Sequence, residues 1–470
     1  MFYKPSYGKM KDNCIVFHEG RYYLYSMYAK HAEYNAMSAR YNNVWLAISD
    51  DGVHFSDYGC VIENHPTLIW AMKVHRVDGT FYMNAGSFSE SGAQNRLLFW
   101  SSKDLLHWTP RPDLMVTAPP VDGCEVRLDC MNALQLPDGS WYGYATGYYN
   151  FLRSPDGIHW EITEGSIETA PFPPFAPGEG GFEIADCFYL DGRYFLLSGA
   201  FGYMGMPGYG VYVYTADAPQ GPFRPLLPSF RVNGNSGRWV NVWERAFLTE
   251  DGILAHNYMY NSNNYELGLC HLPPIKRFSY ENGELILKWW EKNEAARGEL
   301  CACADSLRAQ TECRNIWEPD AAPVTVTTDA LLSGENFIEG ILSLEPGRNW
   351  TDLVKGGLYL EDTRGFGTVI LFDCSGKVHI CTMKDGTLLA VEDEIGYGCA
   401  APYWLEPGKE YTFRIVTRHG LFEVYLDDRY LQTFNTAHIP GQDAAPICRA
   451  GAAALRGACC IKDLRIYNMR

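Results

Sequence analysis

Asp191-Gly192-Arg193-Tyr194-Phe195-Leu196 is the stretch that decides the fold. An acidic residue and a glycine ahead of an aromatic and apolar run make a hairpin turn, because glycine accepts the positive φ that a tight turn needs. The same unit recurs as Glu19-Gly20-Arg21-Tyr22-Tyr23-Leu24, Asp78-Gly79-Thr80-Phe81-Tyr82-Met83, Asp138-Gly139-Ser140-Trp141-Tyr142 and Asp251-Gly252-Ile253-Leu254. Successive glycines stand 59, 60, 53 and 60 residues apart. A period of that size, with several strands in each copy, marks a β-propeller, and five copies predict five blades.

A second repeat keeps the same phase. Ser49-Asp50-Asp51-Gly52-Val53-His54-Phe55, Ser102-Lys103-Asp104-Leu105-Leu106-His107-Trp108 and Ser154-Pro155-Asp156-Gly157-Ile158-His159-Trp160 lie 53 and 52 residues apart. Each reads as a turn that ends on an aromatic residue packed between blades. Its Asp and His are turn chemistry rather than catalysis. A weaker fourth copy runs from Thr215-Ala216-Asp217 to Phe223.

These repeats fill residues 1–292. Pro-rich and Gly-rich loops punctuate them at 171–178 and 202–208. Residues 293–320 read as a linker, opened by the short helical stretch Glu291-Lys292-Asn293-Glu294-Ala295-Ala296. From 321 to 470 the period is lost. Alternating runs at 324–326, 337–342, 357–360, 368–372, 411–416 and 422–426 predict a β-sandwich. The expected fold class is therefore all-β: a five-bladed β-propeller followed by a C-terminal β-sandwich.

Composition narrows the function. The chain has 470 residues, is 47% hydrophobic and 14% aromatic, and carries a formal charge of −17. Such acidity argues against nucleic acid, since phosphate binding needs a basic stripe. No apolar run is long enough to span a membrane. The start, Met1-Phe2-Tyr3-Lys4-Pro5, has no apolar signal core, so a cytoplasmic location is expected. The fifteen cysteines are scattered without zinc spacing. They are expected as reduced thiols, and neither a metal nor another cofactor is expected.

Counting back from the marker glycines brings five residues to similar offsets. Asp12, Asp129 and Glu183 precede Gly20, Gly139 and Gly192 by 8, 10 and 9 residues; Trp70 and Trp243 precede Gly79 and Gly252 by 9. The innermost strands of a propeller face one axis, so three carboxylates and two indoles are expected around one cavity. Indoles stack on sugar faces, and paired carboxylates do the acid–base and nucleophilic work of glycoside cleavage. Asp186 and Glu244 neighbour the ring as decoys or supporting groups, with Glu244 still open as a member of the cavity.

With these residues in place, the chain resembles glycoside hydrolase family 32, the fructan- and sucrose-cleaving enzymes, with family 43 as an outer relative. Pro5-Ser6-Tyr7-Gly8-Lys9-Met10-Lys11-Asp12-Asn13 resembles that family's Pro-x-x-Gly-Trp-Met-Asn-Asp-Pro opening. Leu128-Asp129-Cys130 resembles its Arg-Asp-Pro motif, and Glu183-Ile184-Ala185 its Glu-Cys-Pro motif. Residues 45–55, 267–285 and 422–434 resemble further family segments. The resemblance implies Asp12 as nucleophile, Glu183 as acid/base and Asp129 as a holder of sugar hydroxyls. It implies Trp45 and Arg127, with Trp70 and Trp243, as substrate-binding groups. The flanking residues depart from the family: Lys11 and Asn13 surround Asp12, and Leu128 replaces the arginine, with Arg127 next door. Lys9 and Lys11 raise a substrate bearing a carboxylate or phosphate. The expected activity is hydrolysis of an oligosaccharide or glycoside by a retaining, exo-acting furanosidase of β-fructofuranosidase type. An inverting α-L-arabinofuranosidase or β-xylosidase like those of family 43, and a non-catalytic carbohydrate-binding protein, stay open as alternatives.

Overall fold

A computed structural model describes residues 1–30, 41–88, 94–168, 183–201, 209–227, 230–234, 241–260, 269–311, 324–329, 334–345, 354–374, 378–385, 387–395, 403–435 and 445–470. The loops at 171–178 and 202–208 lie outside the described residues. Five antiparallel sheets follow one another along the first 289 residues. Their innermost strands are Lys9–His18, Leu68–Val77, Leu128–Gln135, Glu183–Leu190 and Asn241–Thr249. Each turns back into a second strand: Arg21–Ala29, Thr80–Phe88, Trp141–Gly147, Arg193–Phe201 and Gly252–Tyr260. Four marker glycines sit in these turns with φ of 78°, 73°, 87° and 84°, and Gly252, with φ of 99°, opens the second strand of blade five directly after its turn. In three of the turns the acidic partner is also left-handed (Glu19, Asp78, Asp191). That pair of positive φ values is the twist a two-residue hairpin demands.

The serine-aspartate repeats are turns. Ser49 Oγ accepts from Gly52 N at 2.8 Å, Asp51 Oδ1 accepts from Val53 N and His54 N at 2.8 Å, and His54 Nδ1 meets Asp51 Oδ2 at 2.7 Å. The copies at Ser102 and Ser154 repeat these bonds. The aromatic residues that close them pack between blades: Trp108 against Tyr25, Trp160 against His75, and Phe223 against Tyr144.

Behind blade five lies a sandwich of two six-stranded layers. One layer runs Val324–Asp329, Ile447–Arg456, Lys355–Asp362, Phe366–Asp373, Val378–Lys384, Thr387–Ile395. The other runs Arg429–Asn435, Leu421–Leu426, Glu410–Arg418, Asn336–Glu345, Ala458–Met469, Arg297–Gln310. Ile338, Leu342, Leu358, Ile370, Ile415, Val424 and Ile461 fill the space between them. The second layer continues into blade five through the pairing of Lys288 with Arg429. The expectation of a linker over residues 293–320 is corrected for its described part by the 14-residue strand Arg297–Gln310, which pairs with Ala458–Met469, while 312–320 lie outside the described residues. It is a half-exposed edge strand whose inner face is built from Ala302, Ala304, Leu307 and Ala309, too small to announce a strand by pattern.

The turn glycines yield a graded prediction. At Gly192 a Cβ would meet nothing within 4 Å, whereas at Gly157 it would lie 2.7 Å from Trp141 Cε2 and 2.8 Å from Val77 Cγ2. We expect Gly192→Ala to cost about 1–2 kcal/mol from backbone strain alone. Gly157→Ala should cost roughly 1–3 kcal/mol more from overpacking. Urea unfolding measures both; equal losses would contradict tight packing of Gly157 between blades two and three.

Candidate active site

Every innermost strand carries a β-bulge near its N-terminal end. The pairing register slips between Lys11 and Cys14, Trp70 and Lys73, Asp129 and Met131, Ile184 and Asp186, and Val242 and Arg245. A bulge adds one residue and re-aims the side chains beside it. Asp12, Ala71 and Trp243 occupy the bulges of blades one, two and five with φ of 47°, 43° and 53°. Non-glycine residues in this left-handed region are strained, and such strain gathers at functional sites.

Arg127 ties two of the expected carboxylates together. Its Nη2 donates to Asp129 Oδ2 at 3.0 Å and its Nη1 to Glu183 Oε1 at 2.8 Å, bridging blades three and four. Asp129 is 3% exposed, and its Oδ1 accepts from Cys130 N at 2.7 Å. Burial pushes the Asp129 carboxyl above its ordinary range; Arg127 pulls it back, and the charge of Asp12 adds to the rise. Asp12 is itself 2% exposed, and its Oδ1 has no hydrogen-bond partner among the described residues. The Glu183 side chain is the most open of the three acids.

The expected aromatic groups divide. Trp70 carries the Lys11 ammonium 4.6 Å from its ring centre, and Trp243 carries the Arg245 guanidinium at the same distance. One face of each indole is thus taken by a cation. Trp45 stands two strands out from the axis, where its Nε1 donates to Tyr3 Oη at 2.9 Å and its ring packs on Tyr28. Offsets from the turn glycines treat the acids and indoles as one ring, but strand pairing sets them at two adjacent positions. Asp12, Asp129 and Trp243 stand two residues before the first pair beyond each bulge, while Trp70 and Glu183 stand one residue earlier. The physical reason is the turn length: blade one reverses over Glu19-Gly20, whereas blade three spends five residues between Gln135 and Trp141.

Three further features escaped the sequence reading. Gly86, Gly147 and Gly199 stand opposite Trp70, Leu128 and Glu183 on the second strands of blades two to four. A Cβ at Gly86 would fall 1.9 Å from Asp129 Oδ1, and one at Gly199 would fall 1.6 Å from Tyr209 Oη. The glycines therefore make room for the acid and for a tyrosine. Burial raises the Tyr209 hydroxyl well above its usual value, and the charges of Glu183 and then Asp12 add to the rise. The glycine at or near the end of the second strand in blades two to four was the readable signal. Arg245 is the third feature. Its Nη1 donates to Asn13 O at 3.0 Å and Met72 O at 2.7 Å, and its Nη2 reaches Cys130 Sγ at 3.6 Å. All three partners are bulge residues, from blades one, two and three.

The neighbouring carboxylates serve the frame. Asp186 pairs with Lys73 of blade two and accepts from Ala246 N of blade five at 2.8 Å. Lys73 and Asp186 also line a cavity of about 460 Å³ towards the other end of the axis, with His75, Asn132 and Leu248. Glu244 points away, into the seam with the sandwich, where Asn233 donates to it. Among the described residues no group of three or more His, Cys, Asp or Glu side chains could hold a metal ion. No helix among them is long and apolar enough to cross a membrane.

The fold is that of the family 32 glycoside hydrolases. Fructan 1-exohydrolase IIa from Cichorium intybus superposes with a TM-score of 0.70 at 14% identity, over 100% of this chain and 96% of its own. Sucrose-6-phosphate hydrolase from Lactobacillus gasseri gives 0.68 at 14% identity, over 98% and 91%. The family 32 β-fructofuranosidase of Bombyx mori gives 0.68 at 11% identity, over 99% and 92%. No family model matches the sequence, and no curated protein matches it. The family 32 architecture of propeller plus sandwich thus persists across the whole chain with little sequence identity.

Glu244 offers a stability test. Burial pushes its carboxyl from 4.5 up to about 7, against the pull of Lys276 and Asn233, and Glu423 adds to the rise. An acid whose pKa is higher in the folded state stabilises fully below its unfolded value. That contribution is lost as pH rises towards 7. Glu244→Gln cannot ionise, so its stability relative to the native chain should grow by about 3 kcal/mol between pH 4.5 and pH 8. Urea unfolding at the two pH values checks this; a constant difference would contradict a buried, proton-binding Glu244.

Proposed function

We propose that the chain is a glycoside hydrolase, a retaining exo-acting furanosidase of β-fructofuranosidase type. The observation that carries this reading is the Arg127 bridge between Asp129 and Glu183, with the Asp12 charge bearing on Asp129 from a third blade. Binding alone gives no reason to crowd three carboxylates into one recess; bond cleavage does, because each has a separate task. Asp12, with an oxygen that has no hydrogen-bond partner among the described residues, attacks the anomeric carbon. Glu183, the most accessible of the three, protonates the leaving oxygen and then activates the water that releases the sugar. Asp129, held by Arg127 and the Cys130 amide, accepts sugar hydroxyls and offsets charge that develops on the ring. Tyr209, beside Glu183, orders that side of the recess. The proteins that share this fold fit the reading: two have been captured with sucrose and with 1-kestose.

Asp12→Asn and Glu183→Gln should each lower kcat on aryl furanosides and fructans by at least about 10³-fold while the far-ultraviolet spectrum is kept. Proton magnetic resonance should show the released sugar first in the anomeric configuration of the substrate. Near-native turnover in either variant would overturn these roles, and an inverted product would replace Asp12 as nucleophile with Asp12 as base.

A further inference from the structure

The second and third strands of blade three, Trp141–Gly147 and Phe151–Ser154, are joined at the end of the propeller that holds the acids. The link is Tyr148-Tyr149-Asn150, three residues where each of the other blades spends seven or more. Gly147 sets its course. The φ there is 130°, and a Cβ would fall 2.1 Å from Arg127 O. Tyr148 N donates to that same carbonyl at 2.9 Å. The Asn150 side chain clamps the link, donating to Ala145 O at 2.8 Å and to Gly147 O at 3.1 Å. A hairpin tip usually carries small or polar residues. This one carries a tyrosine that is 46% exposed, with its ring edge-on to Tyr149 at 5.1 Å. Tyr149 in turn packs on the apolar cluster between blades two and three. A tyrosine held in this way offers rigid contact area and loses little entropy when a ligand settles on it.

The place of Tyr148 relative to the acids decides what meets it. In the reading above, Glu183 protonates the leaving oxygen, so the leaving group lies on the Glu183 side of the bond. Arg127 Nη1 donates to Glu183 Oε1 at 2.8 Å. The main chain of Tyr148 is therefore bonded to the residue whose side chain steadies the proton donor. The glycosyl unit belongs deeper, beside Asp12 and Asp129, which are both buried. The departing group is the part that extends towards solvent, and a three-residue link rises little above the strand ends in its way. We propose that Tyr148 is the platform for the leaving group: its ring stacks on the apolar face of a sugar that departs with the oxygen protonated by Glu183. Tyr148 is thus a specificity-determining residue that favours a ring as leaving group over a small alcohol. This rests on the hydrolase reading above and assigns the leaving side of the same site.

Two substrates that share a glycosyl unit test it: sucrose, which releases glucose, and methyl β-D-fructofuranoside, which releases methanol. Tyr148→Ala should lower the ratio of kcat/KM for sucrose to that for the methyl glycoside by about tenfold, with the loss falling on KM for sucrose. Tyr148→Phe, which keeps the ring, should retain most of the native ratio. Equal losses on the two substrates, or no loss on either, overturn the proposal and leave the hydrolase reading standing. Calorimetric titration of both glycosides into Asp12→Asn gives a readout independent of turnover. Adding Tyr148→Ala should weaken sucrose binding about tenfold more than binding of the methyl glycoside. If the native chain hydrolyses neither substrate but Tyr148→Ala weakens sucrose binding selectively, the hydrolase reading fails and the platform stands. Absence of both turnover and Tyr148-dependent binding overturns both.

Discussion

The arginine at the propeller axis, Arg245, is the contact on which the candidate site depends. It is 1% exposed and stands directly beyond the bulge of blade five. One nitrogen gathers the bulge carbonyls of Asn13 and Met72, another reaches Cys130, and the guanidinium plane rests on Trp243. The blade sheets are not paired strand to strand with one another, so blades are held in angle by side chains. Arg245 supplies that restraint at the level of the acids, since Asn13 follows Asp12 and Cys130 follows Asp129. The Lys73–Asp186 pair adds a second strut, between blades two and four, and the Ala246 amide joins it from blade five. Five bulges are thus drawn towards one axis by one cation and one ion pair.

Blade five must itself be held still, and the sandwich does this. Trp289, Trp290, Phe337, Val416, Tyr425 and Tyr430 belong to one apolar cluster that crosses the seam. A buried polar network runs through it. Asn241 donates to Tyr430 Oη at 2.7 Å, and Lys276 pairs with Glu423 at 2.9 Å with both side chains fully buried. Asn241 opens the strand that carries Trp243 and Arg245, so the sandwich reaches the axis through that strand. The N-terminus closes the ring from the other side: Tyr3 pairs with Leu272 of blade five, and the Met1 amine donates to Val53 O of blade one.

Much of this was legible in the sequence because local chemistry forces it. The turns at Gly20, Gly79, Gly139, Gly192 and Gly252 need a positive φ, and the Ser49, Ser102 and Ser154 turns need an acceptor two residues on. Both requirements act within a few residues, so composition betrays them, and the turn spacing then gives the blade number. The acids could be found by counting from the turns. Their offset of one residue could not, because a bulge is a property of strand pairing. Arg245 was invisible for a related reason. Its partners are backbone carbonyls and a thiol from three other blades, and no local pattern distinguishes such an arginine from a surface one. Gly86, Gly147 and Gly199 were legible in principle, since glycine at the end of an aromatic strand signals close approach. Arg297–Gln310 went unread because its inward face is mostly alanine.

The most direct test of the central claim, that an axial guanidinium sets the acids in register, is the kinetics of Arg245→Lys on the best furanoside substrate. An ammonium cannot span the Asn13 and Met72 carbonyls and Cys130 together. Misplacing reacting groups by about 1 Å costs on the order of 100-fold in rate, so kcat should fall by about that factor while KM changes little. A variant with native kcat would show that the acids hold their places without Arg245 and would contradict the account.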